Sequence, residues 1–169
     1  MRWVSIDPGI KTGLTFWNED KFESTHAVTT ATTKPDIIER IYEISEAIDD
    51  LIQQSDIRTQ DPVKEAHVER PEFFLSKKGL QAAAAGSMQS VAYIFGGITA
   101  ALSRRGIEVY DHTPKHWKGQ TPKKQFIKFI SRRAKEYGIT TTEPDGSDSR
   151  ISDDQWDSIG LGLWHLGLL

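Results

Sequence analysis

Cysteine is absent from all 169 residues, which excludes a thiol nucleophile, a thiolate zinc site and any disulfide. Such a chain suits a reducing compartment, and a cytoplasmic location is expected. No apolar run approaches the roughly 20 residues a membrane helix requires, and the amino terminus reaches Asp7 before a signal-peptide core could form. A membrane partner is therefore not expected. Overall positive charge is also lacking, since the net charge is −3. The signs are nevertheless unevenly spread. Between His112 and Tyr137 stand Lys115, Lys118, Lys123, Lys124, Lys128, Arg132, Arg133 and Lys135 against Glu136 alone, whereas acids gather from Asp36 to Asp56 and from Asp145 to Asp157. A polyanion has one evident landing place. The length suits one domain spanning 1–169.

Trp3 to Asp7 alternates as a strand does, Pro8-Gly9 turns the chain, and Thr12 to Trp17 and Lys21 to Thr30 read as the next two strands of an antiparallel meander. After Pro35, isoleucines and leucines from Ile37 to Ile52 recur at helical spacing, with acids on the opposite face. Glu65 to Arg70 is a strand stopped by Pro71; Leu80 to Arg105 is a long helix rich in small residues; Ile107 to Tyr110 is a further strand. Thr121-Pro122 opens a basic helix over Lys123 to Glu136, and Gly138 to Arg150 reads as a polar loop. Ser152 and Gln155 have capping-box spacing for the last helix. This order predicts an α/β domain built on a mixed sheet, antiparallel meander plus parallel strands, with helices on its faces.

Four acids stand out. Asp7 and Glu69 end strands, and Asp154 and Asp157 lie one turn apart on the last helix. Each has a plainer reading: Asp7 as a turn former before Pro-Gly, Glu69 as an exposed or salt-bridged strand end, Asp153 and Asp154 as acids placed by the helix dipole. Asp157 lies deeper, and its face, shared with Asp154, Ser158 and Leu161, opposes that of Trp156, Ile159 and Leu163. That geometry predicts Asp154 and Asp157 at the rim of a protein surface. Gly160 and Gly162 each weaken a helix by roughly 1 kcal/mol relative to Ala, which predicts close packing against the sheet. A cluster of four carboxylates needs a cation. Hard divalent ions accept such oxygens, and two of them about 4 Å apart clamp the attacking and leaving oxygens of a phosphodiester.

Ser5-Ile6-Asp7-Pro8-Gly9-Ile10-Lys11-Thr12-Gly13-Leu14, Val68-Glu69-Arg70-Pro71 and Asp154-Gln155-Trp156-Asp157-Ser158-Ile159 resemble, in order and approximate spacing, the three acidic motifs of the RuvC family of Holliday junction resolvases. The resemblance implies a ribonuclease H-like fold, a homodimer, and metal-dependent hydrolysis of four-way DNA junctions giving 5′-phosphate ends. It implies two Mg²⁺ ions per site, or Mn²⁺, held by Asp7, Glu69, Asp154 and Asp157. Family members also use lysines, matched by Lys118 and Lys124, with Lys123 as the alternative to Lys124. An aromatic after the second acid stacks on an unpaired base; Phe73 or Phe74 is the counterpart here, or either is core. The Pro114-x-x-Trp117-Lys118 stretch looks like phage-encoded relatives.

The basic segment suits phosphate contacts that position DNA without reading sequence. Lys115, Lys118, Lys123, Lys124 and Lys128 are its candidates, joined by Lys77 and Lys78. The plainer reading is a solvated amphipathic helix with Phe126, Ile127 and Ile130 facing the core. The Leu80 to Arg105 helix is either core or a two-fold interface, and the resemblance favours the interface. Two competing functions remain: an RNA-processing nuclease of the related YqgF type, and an actin-like nucleotide-binding module that also opens with Asp-x-Gly on a first strand.

Overall fold

The structure, a computed structural model, describes residues 1–30, 36–72, 87–139 and 151–169. The chain runs β1 (Arg2–Asp7), β2 (Lys11–Asn18), β3 (Lys21–Thr29), α1 (Ile37–Thr59), β4 (Val63–Glu69), α2 (Ser87–Arg104), β5 (Glu108–His112), α3 (Pro114–Trp117), α4 (Lys123–Glu136) and α5 (Asp153–His165). The five strands form one sheet in the order β3-β2-β1-β4-β5. β1, β2 and β3 pair antiparallel, while β4 lies parallel to both β1 and β5. This is the expected mixed α/β sheet. The start of the expected Leu80 helix, the Gly138 to Arg150 loop beyond Ile139, and Phe73, Phe74, Lys77 and Lys78 lie outside the described residues. The short helix α3 was not foreseen.

β1 is central and covered on both sides, which explains why it reads as nearly continuous apolar sequence. Val4 and Ile6 point into one core, built with Leu14, Phe16, Ile44, Ile48, Ile52, Ile94, Ile98 and Leu102. The four-residue steps of Ile44, Ile48 and Ile52 put one stripe of α1 on the sheet, and α2 packs beside it with Gly97 against Ile41. Trp3 points to the opposite face, where Trp17, Trp117, Phe126, Ile130, Ile159, Leu161 and Leu163 form the second core. The Trp3 and Trp17 rings stack at 5.2 Å and 8° across the β1–β2 pair.

α5 lies between the sheet and α4, and it departs from the expected two-faced helix. Every residue from Asp157 to Leu163 is buried, so both faces pack and Asp157 is interior rather than at a rim. Its glycines are the reason. A side chain at Gly162 would overlap the Trp17 ring of the sheet, and one at Gly160 would overlap Ile130 of α4 and press on Trp117. The Gly160 contact is therefore with helices, not with the sheet. Hydroxyls complete the seating: Trp17 Nε1 donates to Ser5 Oγ (2.8 Å), Ser5 Oγ donates to the Ser158 carbonyl (2.7 Å), and the Thr15 and Ser158 hydroxyls bond at 2.7 Å. Buried polar atoms are thus paired across the sheet–helix boundary. Among the described residues no helix is long and apolar enough to cross a membrane.

Candidate active site

Parallel pairing of β1 with β4 brings two strand ends together, so Asp7 and Glu69 emerge at the same edge of the sheet. The start of α5 is laid over that edge. Gly13, the cross-strand partner of Asp7, has no side chain, and the Asp154 backbone occupies the space one would fill. The capping box fixes where the helix begins: Gln155 N donates to Ser152 Oγ (3.3 Å) and Ser152 N to Gln155 Oε1 (3.0 Å). One turn in, Asp157 is carried to the same spot and is only 2% exposed, while Asp153 is exposed in the helix's first turn.

The four acids sense one another. Burial raises the Asp7 carboxyl well above its usual value, and Glu69, Asp157 and Asp154 push it the same way while Lys118 opposes them. Burial also raises Glu69, against Lys118 and the Trp117 N–H, which favour its ionised form. Asp154 is raised by burial, with Lys123 opposing and Asp157 adding to it. Two ammonium groups stand among these charges. Lys118 Nζ lies 3.1 Å from Glu69 Oε2 and 3.6 Å from Asp157 Oδ1. Lys123 Nζ lies 3.2 Å from Asp157 Oδ2. Burial alone would lower both lysines. For Lys118 the carboxylates of Glu69, Asp157 and Asp7 outweigh it, and for Lys123 Asp157 does, so both are raised.

All four predicted acids and Lys118 therefore meet. Lys124 does not: it is exposed and makes no ion pair among the described residues, and Lys123 takes the place by the acids. Lys115, Lys124 and Lys128 are all exposed on the basic segment, and Phe126 and Ile130 are buried beneath it with Ile127 half-buried. Two contributors were missed from sequence. Gly13 was legible only as part of a motif, and Trp117, whose Nε1 donates to Glu69 Oε2 at 2.9 Å, lies 48 residues from its partner. His67, His112 and His165 form a separate stack: His67 Nδ1 bonds His112 Nε2 at 2.9 Å, and the His67 and His165 rings are 3.6 Å apart.

The donor set suits a hard divalent cation. It consists of carboxylate oxygens, and among the described residues the buried Asp157 Oδ1 has no hydrogen-bond partner, the Lys118 ammonium standing 3.6 Å away. As the side chains stand, with the lysines among them, no three described His, Asp or Glu residues form a ready ligand cage. A cation held by these carboxylates would compete with Lys118 and Lys123 for the same oxygens.

No family model matches the chain, and no curated protein matches it in sequence. Solved structures do. The five-stranded mixed sheet, with helices on both faces and acids at neighbouring strand ends, is the frame of the likeness. Within it, the chain is similar to Thermus thermophilus RuvC, with a TM-score of 0.62 and 19% identity over 98% of this chain and 93% of that one. T. thermophilus RuvC in complex with a Holliday junction substrate gives a TM-score of 0.61 at 19% identity, over 98% of this chain and 92% of that one. The fold is RuvC-like along nearly the whole chain.

Proposed function

We propose that the chain is a metal-dependent, structure-selective endonuclease that hydrolyses phosphodiester bonds in four-way and other branched DNA junctions, leaving 5′-phosphate ends. The convergence of Asp7, Glu69, Asp154 and Asp157 with Lys118 and Lys123 carries this reading. It is supported by the RuvC-like fold and by the structure of one such neighbour with a Holliday junction. The four acids would hold Mg²⁺ or Mn²⁺, two ions per site on this reading, and bound ions would supply a lowered pKa for water and charge neutralisation for the leaving oxygen. No protein nucleophile is needed.

The chain's own residues do the rest. Lys118 and Lys123, released from the acids, are placed to meet the scissile phosphate and stabilise the charge that develops there. The exposed Lys115, Lys124 and Lys128 continue the positive surface away from the site, where phosphate contacts set register rather than sequence choice. A second copy would align two sites on opposed strands. The face offered for it is α2 with its neighbour α1: Tyr93, Ile38 and Tyr42 are 48%, 71% and 67% exposed, and Gly96 opens onto free space.

The test compares a synthetic four-way DNA junction with structured RNA, each in Mg²⁺. Paired nicks in opposed DNA strands that a ligase can reseal are expected. Cutting of the RNA with the junction intact would instead establish the YqgF-like alternative, and ATP binding without nuclease activity the nucleotide-binding one.

A further inference from the structure

Trp117 touches both kinds of charged group in the acid cluster. It closes α3, is buried, and meets Phe126 edge-on at 5.2 Å and 67°. Its ring also packs beside the bare backbone of Gly160 in α5. On its other side the indole Nε1 donates to Glu69 Oε2 at 2.9 Å, and the Lys118 ammonium stands 4.9 Å from its ring centroid. One side chain thus joins β4, which carries Glu69, to α5, which carries Asp154 and Asp157.

A tryptophan with only a packing role satisfies its N–H wherever an acceptor is near, as Trp3 does on the Glu19 carbonyl at 2.9 Å. The Trp117 partner is different in kind, because it is a carboxylate oxygen in the cluster itself. A hydrogen bond from a rigid, buried donor fixes the plane of the carboxylate and occupies one lone pair of Oε2, leaving the remaining lone pairs of Oε1 and Oε2 in a defined direction. It also favours the ionised carboxylate against the burial that opposes it. Unlike Lys118, an indole cannot be drawn away to a phosphate, so this restraint persists when the lysine leaves.

We propose that Trp117 is a positioning residue that holds the Glu69 carboxylate for a divalent cation and ties it to the helix bearing the other acids. The inference rests on the metal-dependent reading above. Partners that orient a ligating group from behind are worth 10–100-fold in metal affinity or activity, and that range sets the expected effect.

The experiment measures Mn²⁺ binding to DNA-free protein by calorimetry, four-way junction binding in chelator, and thermal unfolding, for wild type and Trp117→Phe. Phe keeps an aromatic ring against Phe126 and Gly160 and removes the N–H. Mn²⁺ affinity is expected to fall by about 10–100-fold, with junction affinity unchanged and with cutting recovered by excess Mn²⁺. Should the smaller ring destabilise the protein, site-specific replacement of Trp117 by benzothienylalanine removes the N–H at constant shape and gives the same readouts. Wild-type Mn²⁺ affinity in either folded variant overturns the assignment. Failure of the wild type to bind Mn²⁺ overturns the metal-dependent reading as well, and is recognised because it precedes any substitution.

Discussion

The Asp154 backbone rests directly on Gly13, so closely that a methyl group there would overlap the Asp154 carbonyl oxygen. Because Gly13 is also the cross-strand partner of Asp7, a position without a side chain is what allows the helix acid to reach the strand acid. The obstructing atom is backbone and no rotamer change can relieve it. Gly13→Ala is expected to cost about 1–3 kcal/mol, as overpacking does, lowering the unfolding midpoint by roughly 2–4 °C per kcal/mol at this size. Calorimetry measures the first effect and a junction-cutting assay the second, larger loss. An Ala variant as stable and active as wild type would refute the contact.

Asp7→Asn separates docking from chemistry. It removes a charge from the middle of the cluster while leaving the basic surface of α4 untouched. Junction binding, read by gel shift, is expected to persist and cutting to disappear. Loss of both in a folded variant would assign Asp7 to docking instead.

The acids and the histidine stack drive stability in opposite directions with pH. Asp7, Glu69 and Asp154 are raised in the fold, so above their ordinary values the unfolded chain has released protons that the folded chain retains. Stability in chelator therefore falls as pH rises from about 4 through the raised folded values. His67 is lowered to about 3 from 6.5, by burial first and then by His165 and His112. Between those values the unfolded chain binds the extra proton, so this contribution is lost as pH falls from 6.5 towards 3. Midpoints recorded across this range in chelator should pass through a maximum. Asp7→Asn should flatten the alkaline side, and so should added Mg²⁺, which offsets the same repulsion. A wild-type profile unaffected by Mg²⁺ would count against cation binding by these acids.

Neighbouring lysines should behave differently. Lys123→Met removes the ammonium 3.2 Å from Asp157, and cutting is expected to drop by about 10²-fold or more, in line with losing one stabilising donor at a reacting centre. Lys124→Met, altering an exposed side chain, should leave the single-turnover cutting rate intact. Its effect should appear in junction affinity, with the slope of log K against log salt reduced by about 1. Equal losses of rate in the two variants would place both at the site.

Most of the fold was legible because single elements carried local signals that agreed. The Ser152–Gln155 capping box located α5, Pro122 marked the start of α4 at Lys123, and the isoleucine stripe of α1 announced its buried face. What escaped depended on partners far along the chain. Lys123 and Lys124 share the first turn of one helix, and their facing is decided only by how α4 lies against α5. The burial of Asp157 was hidden because Gly160 and Gly162 admit neighbours on two sides of α5, which its amphipathic pattern cannot record. Trp117 carried no sign of Glu69, since the two partners stand 48 residues apart.

The acid cluster is assembled from opposite ends of the polypeptide, with Asp7 on the first strand and Asp157 on the last helix. During synthesis the sheet's two acids leave the ribosome many residues before their helical counterparts exist. A nascent chain, or one whose final layer has come loose, accordingly holds only half of the carboxylate cluster, and the proposed cleavage would await the docking of that last helix.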